Sequence, residues 1–247
     1  MNKKSFCIAN WKMNKNIDES IDFLNKLRNK DLSVSNSQII ICPSFLSLAI
    51  NHEKNNKINF GAQNVSYSHR GSFTGEISIN MLENINCEWV IIGHSERRIL
   101  FNEKDVDVSN KIKIVYDSSL SPILCIGESL QQKNNNQTDI ILETQIQSAF
   151  SKIDFKKDKN ILIAYEPVWA IGTGVAAEID VIEENMKLIK KIINKISTNN
   201  CNIYLLYGGS VNKDNAADIF NLTDVNGFLI GGASLEAESF YGIYKQI

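Results

Sequence analysis

A chain of 247 residues is long enough to bury a large core, and 43% hydrophobic with 22% charged residues is the make-up of an ordinary globule, which excludes wholesale disorder. A formal net charge of -2 leaves no electrostatic case for nucleic acid or an anionic membrane as a partner. Five cysteines, odd in number and without C-x-x-C spacing, argue against a disulfide framework and against a zinc site.

The opening "MNKKSFCIANWKMNK" carries lysines but only a short apolar run, too short for a signal-peptide core or a membrane span, so the expectation is a cytoplasmic protein with reduced thiols. Apolar flanks place Cys7, Cys42 and Cys125 in the interior. The first strand is predicted over 5–9, and the stripe Ile17, Ile21, Leu24 and Leu27 behind it predicts an amphipathic helix. Apolar runs of strand length recur at 38–42, 58–62, 89–92, 122–126, 161–165, 203–207 and 227–230. Most lack apolar/polar alternation, which is how strands buried on both faces read.

The polar patch from Gln131 to Asn136 reads as an exposed connection. The clearest helical stripe is Ile179, Ile182, Met186, Ile189, Ile193 and Ile196, at spacings of three and four. Alternating strand and helix calls for a parallel sheet with right-handed crossovers. Eight such units in about 250 residues are the size of a closed (β/α)₈ barrel, here one domain over 1–247, with an open doubly wound sheet as the competing arrangement.

In such a barrel the residues just after each strand converge on one face. In chain order they are Asn10 and Lys12, Gln63 and Asn64, His94 with Ser95 and Glu96, Glu128, Glu166, the run Gly208, Gly209 and Ser210, and finally Gly231 and Gly232. Singly, each has an ordinary structural explanation: a satisfied histidine, a solvated lysine, a loop carboxylate, turn glycines. Together they form a constellation. Glycines after strands 7 and 8 expose backbone N–H groups to an anion, so a phosphorylated small molecule is the implied ligand, with Lys12 adding a full positive charge.

"GTGVAA" at 172–177 fits a dinucleotide pattern but stands six residues past its strand, with Asn194 where an acidic residue belongs. The three histidines lack i, i+4 spacing, so no metal cluster is read, and no cofactor is called for. What remains is proton transfer. Glu166 is the natural base, since Pro167 restricts it to extended backbone, and His94 and Lys12 are the natural stabilisers of an oxyanion.

The motifs "ANWKMN" at 9–14, "GAQNVS" at 61–66, "FTGEIS" at 73–78, "IIGHSERR" at 91–98, "CIGE" at 125–128, "YEPVWAIGTG" at 165–174, "YGGSV" at 207–211 and "GFLIGGASL" at 227–235 resemble, in order, those of the triosephosphate isomerase family. The resemblance implies cofactor-free interconversion of dihydroxyacetone phosphate and D-glyceraldehyde 3-phosphate through an enediolate, a step of glycolysis and gluconeogenesis, in a homodimer. By motif position Glu166 is similar to the family's base, His94 to its neutral electrophile, Lys12 to its electrostatic stabiliser and Asn10 to its oxyanion partner. Gly172, Ser210, Gly231 and Gly232 look like its phosphate-binding backbone. Ser95, Glu96 and Cys125 look like supporting residues, and the helix entered at Ser95 is implied to lower the imidazole pKa.

The resemblance also implies a mobile lid of Val168, Trp169, Ala170, Ile171, Gly172, Thr173, Gly174, Val175 and Ala176, hinged at 167–169 and 175–177. It further implies that the long connection from Ser66 to Glu76 inserts into the partner, bringing Thr74 near the partner's Asn10 and the partner's Lys12. The chain departs from the family pattern at Tyr204, where many members carry Arg, at Asn102, where many have Gly, at Glu236, where Lys is common, and at "EID", which opens the helix after the lid without the usual Ser or Thr. Two rival readings are a Schiff-base aldolase, for which Lys12 is the only candidate lysine, and a non-catalytic binding protein on the same fold.

Overall fold

The computed structural model describes residues 4–49, 57–156, 159–170, 177–197 and 201–247. The eight apolar runs become strands β1 (Phe6–Asn10), β2 (Gln38–Cys42), β3 (Ile58–Ala62), β4 (Trp89–Ile92), β5 (Ser121–Ile126), β6 (Asn160–Tyr165), β7 (Asn202–Tyr207) and β8 (Gly227–Ile230). Each lies within a residue of its predicted range. All pair in parallel in the order of the chain, and β8 pairs back onto β1, so the sheet is a closed barrel and not an open one.

Closure explains the unbroken apolar runs. Phe6 and Ile8, Trp89 and Ile91, Ile123 and Cys125, and Leu162 and Ala164 fill the barrel interior. The residues between them, such as Cys7, Ala9, Val90, Leu124 and Ile163, join the larger core under the helices. Both faces are dry, so the two-residue period of a strand leaves no polar trace.

The helices outside are α1 (Ile17–Arg28), α2 (Phe45–Leu48), α3 (Ile79–Asn84), α4 (Ser95–Leu100), α5 (Asp105–Tyr116), α6 (Leu130–Asn134), α7 (Thr138–Phe150), α8 (Ile179–Ile196), α9 (Ala216–Phe220) and α10 (Ala237–Tyr244). In α8, Ile182, Met186, Ile189 and Ile193 are buried as the stripe predicts, while Ile179 at its start is 39% exposed and Ile196 at its end is half-buried. In α1 the buried face is instead Ser20, Phe23, Leu24 and Leu27, while Ile17 and Ile21 are 41% and 43% exposed. Phe23 draws that face inward by packing edge-on against Trp11, ring centroids 4.9 Å apart.

The patch from Gln131 to Asn136 is not a plain connection: its first four residues belong to α6. Ser129 starts that helix with a capping box, its Oγ accepting from Gln132 N while Gln132 Oε1 accepts from Ser129 N. The surface is polar because α6 buries no residue, which hides a short helix from a hydrophobicity reading.

The departures from the family pattern have local explanations. Asn102 has φ +57°, a left-handed conformation that Asn tolerates better than most residues where glycine would be free. Tyr204 packs against Phe6 at 5.1 Å between ring centroids, and Lys4 Nζ lies 5.2 Å above the Tyr204 ring, so a cation is still present there. Glu178 and Glu236 occupy the N-caps of α8 and α10 without a side-chain cap bond. Cys7, Cys42, Cys87 and Cys125 are buried, and all five cysteines are free thiols. Among the described residues no helix is long and apolar enough to cross a membrane.

The seam of the barrel depends on Gly227, which has φ +142° and faces Phe6 in register. A Cβ there would stand 1.9 Å from the Phe6 carbonyl oxygen. Gly227→Ala is therefore expected to cost roughly 3 kcal/mol or more and to lower the thermal midpoint by about 6 °C or more, measured by circular dichroism. A melt within a degree or so of the parent would show that the seam tolerates the methyl group.

Candidate active site

The inward alternation of the strands continues past their ends. Asn10 follows Phe6 and Ile8 on the interior side, and Glu166 follows Leu162 and Ala164, so both enter the mouth of the barrel. A cavity of about 330 Å³ opens there, lined by Asn10, Lys12, His94 and Glu166 on one side and by Gly208 to Asn212 and Gly231 to Ala233 on the other. Of the residues expected to bind substrate, Asn10, Lys12, Ser210, Gly231 and Gly232 all line it. Gly172 lies outside the described residues.

Glu166 is only 3% exposed, and its neighbours are shaped to admit it. A Cβ on Gly127 would come within 1.8 Å of the Glu166 carbonyl oxygen, and one on Gly208 within 2.7 Å of its Cγ. Its backbone is held by Glu166 N donating to Ile126 O at 2.7 Å, and Gly208 N donates to Tyr165 O at 2.8 Å. The carboxylate meets His94 Nε2 at 3.2 Å through Oε1, and Oε2 accepts from Ser95 N at 3.4 Å. Cys125 lies close by, its thiol pKa pushed up by burial and further by the Glu166 carboxylate. With Ser95 and Val168 it lines a second cavity of about 250 Å³ on the other side of Glu166.

His94 caps α4, its Nδ1 accepting from Glu96 N at 3.2 Å. The proton of the neutral ring therefore sits on Nε2, which donates to Glu166. Burial pushes the His94 pKa down, but the carboxylates of Glu166 and then Glu96 pull harder, and the net direction is up from 6.5. The lowering that the family resemblance implies from the helix start is outweighed here by these carboxylates. The helix amide at Nδ1 opposes protonation, but the Glu166 carboxylate lies directly against the imidazole.

Lys12 stands in left-handed backbone, φ +52°, an uncommon conformation for a side chain of this size. Two contacts hold it. Asn10 Oδ1 accepts from Lys12 N at 3.1 Å, and Gln63 Nε2 donates to the Lys12 carbonyl at 2.8 Å. The Lys12 ammonium pairs with Glu96 at 2.6 Å and reaches across the mouth, so that a Cβ on Gly231 would lie 3.7 Å from Nζ.

Beyond Pro167, Val168–Ala170 form a short 3-10 turn. Val168 N donates to Glu128 O at 3.1 Å, Trp169 Nε1 donates to Glu128 Oε1 at 2.7 Å, and Ala170 O accepts from Ser210 Oγ at 3.0 Å. Ile171, Gly172, Thr173, Gly174, Val175 and Ala176 lie outside the described residues. On their far side Ala177 N donates to Tyr207 Oη at 3.2 Å. The expectation of site residues at strand ends overlooked Gly127, Asn212, Ala233 and Lys133. Gly127 and Ala233 lie within recognised motifs, Asn212 directly follows one, and Lys133 was concealed in the polar patch.

Chemically, a carboxylate and an imidazole N–H share one wall, a primary ammonium stands beside them, and bare glycine backbone forms the opposite wall. Such a site suits proton abstraction next to a carbonyl in a molecule that carries an anionic tail. Among the described residues no three His, Cys, Asp or Glu side chains are placed to hold a metal ion.

Comparison with known proteins agrees with this chemistry. The family described as triosephosphate isomerase matches residues 5–247. A protein of Endomicrobium trichonymphae named triosephosphate isomerase is 42% identical over 246 residues, 98% of each chain. One of that name from Lawsonia intracellularis is 43% identical over 244 residues, 97% of each chain. One from Aquifex aeolicus is 42% identical over 235 residues, 94% of this chain and 95% of its own.

Because His94 titrates above 6.5 in the fold, its protonation stabilises the ligand-free protein fully below about pH 6.5, and that contribution is lost as pH rises through the raised value. Glu166→Gln removes the strongest pull and leaves burial and the helix amide, so the His94 titration followed by NMR is expected to move down. A midpoint that stays in place or rises would show that Glu166 is not what raises it.

Proposed function

The chain belongs to the triosephosphate isomerase family, and on that premise we propose how its own residues interconvert dihydroxyacetone phosphate and D-glyceraldehyde 3-phosphate. Glu166 takes a proton from the carbon beside the carbonyl, the C–H bonding pair forms a carbon–carbon double bond, the carbonyl π pair moves onto the oxygen, and an enediolate results. His94 donates to that oxygen through Nε2–H and carries the hydroxyl proton between the two oxygens, while Glu166 returns its proton to the neighbouring carbon. Lys12 and Asn10 stabilise the developing negative charge, and Ser95, Glu96 and Cys125 support the pair around them. No cofactor enters this scheme.

The observation that carries this reading is the buried contact of Glu166 with His94 Nε2 at the mouth of the glycine-lined cavity. Ser210, Gly231 and Gly232, together with Gly172, hold the phosphate. The segment from Val168 to Ala176 serves as a lid, and closing it over the phosphate excludes water from the base. We read residues 1–247 as one barrel domain of a cytoplasmic enzyme.

We also read the protein as a homodimer. Met13, Leu46, Phe73, Met81 and Phe101 are exposed apolar side chains, and all belong to the four consecutive units from β1 to β4. Single exposed apolar residues need no explanation, but several of them on the loops and short helices that follow neighbouring strands mark an interface. The connection from Ser66 to Glu76 is tied at its base by Ser66 N donating to Ile77 O, and Tyr67 packs on Phe73 within it. It presents Thr74 outward, supporting insertion into the partner near the partner's Asn10.

Glu166→Gln is expected to keep the fold and to lose at least ~10² in kcat in a coupled isomerase assay. Near-parental turnover would remove Glu166 from the role of base. Light scattering at assay concentration is expected to give the mass of two chains, and Phe73→Asp to shift it toward one with a loss of activity. A fully active monomer would refute the interface.

A further inference from the structure

The side chain of Lys133 lies over the face of Trp169, with Nζ 3.4 Å from the ring centroid. The edge of the same indole is held by Glu128, whose Oε1 accepts from Trp169 Nε1 at 2.7 Å and from Tyr165 Oη at 3.2 Å. Glu128 is buried, its backbone carbonyl accepts from Val168 N at 3.1 Å, and its second carboxylate oxygen is buried with no hydrogen-bond partner among the described residues. The turn that follows Glu166 and Pro167 is thus gripped by a cation on one face of its indole and a carboxylate at its edge. Its far end is tied to the phosphate side of the cavity through Ala170 and Ser210.

One short piece of chain supplies the whole grip. Glu128 follows β5, Ser129 caps α6, and α6 places Lys133 in its last turn, where a positive charge also suits the exposed carbonyls. The capping box at Ser129 and Gln132 fixes the direction of this helix and therefore where the ammonium points. An ammonium seated on an indole face binds more strongly as it loses water, and both Lys133 and Trp169 are half-buried.

We propose that Lys133 is a positioning residue for the isomerase reaction: by seating its ammonium on Trp169 it fixes the Val168–Ala170 turn and through it the placement of Glu166. This rests on the reading of Glu166 as the base. It acts through Trp169 and touches no reacting atom. A guanidinium can make the same contact, whereas a methionine keeps the apolar stem and loses the charge.

The test compares the full-length parent with Lys133→Met and Lys133→Arg. Tryptophan emission of the ligand-free proteins reports the contact without any turnover, so it stands whether or not Glu166 is the base. Lys133→Met is expected to shift the emission band and to lower kcat/KM for D-glyceraldehyde 3-phosphate about fivefold, and Lys133→Arg to restore both. An unshifted band in Lys133→Met, parental rates, or a loss that arginine does not repair would each overturn the assignment.

Discussion

Strand β8 bonds to β1 over four register pairs, from Phe6 and Gly227 to Ala9 and Ile230, and the other features of the molecule depend on that seam. An open sheet would keep two edges and spread its loops along a line. Closure removes the edges and turns every strand end toward one mouth. It makes neighbours of the first and last loops of the barrel: Trp11 Nε1 donates to Ser234 O at 3.1 Å, and Lys12 reaches Gly231. A cation from one end of the chain thereby faces glycines from the other. The seam in turn rests on Gly227, where the two backbones approach too closely for any side chain.

Within that mouth the site accepts burial that would be unfavourable elsewhere. A carboxylate out of water needs hydrogen-bond partners, and Glu166 has His94 Nε2 and Ser95 N. Glu96 serves two groups, pairing with the Lys12 ammonium through its carboxylate and donating its amide N–H to His94 Nδ1. The charges are therefore coupled around the imidazole. In the proposed reaction, a substrate between Glu166 and His94 would replace one partner of each with the reacting carbon and oxygen. The strain visible at Lys12, in left-handed backbone held by Asn10 and Gln63, belongs to the same preorganisation: the conformation is costly and its neighbours hold it in place.

The segment after Glu166 is fastened differently from Glu166 itself. Glu166 is confined by close backbone approach at Gly127 and Gly208. The Val168–Ala170 turn is held by side-chain contacts to Glu128, Lys133 and Ser210, each of which can break without unfolding a strand. The backbone of Glu166 is thus fixed by the strands around it, and the path its chain takes out of the site by the contacts of the turn.

The sequence by itself determined the eight strands, because unbroken apolar runs bounded by helical stripes admit few other arrangements, and it placed Asn10, Lys12, His94 and Glu166 at strand ends. It could not say which residues of a run face the axis: Ile8 and Cys7 are equally apolar, and only closure assigns one to the interior and the other to the helices. The buried face of α1 turned on Phe23 meeting Trp11, a contact between side chains that a stripe of isoleucines does not reveal. Helix α6 escaped notice because it buries no residue, and with it the role of Lys133, since a charge over an indole leaves no periodic trace. The direction of the His94 pKa was likewise settled by the position of a carboxylate far along the chain. Hydrophobic pattern is a property of neighbours in sequence. Facing, pairing and charge coupling are properties of neighbours in space, and in this protein the closed barrel decides which residues those are.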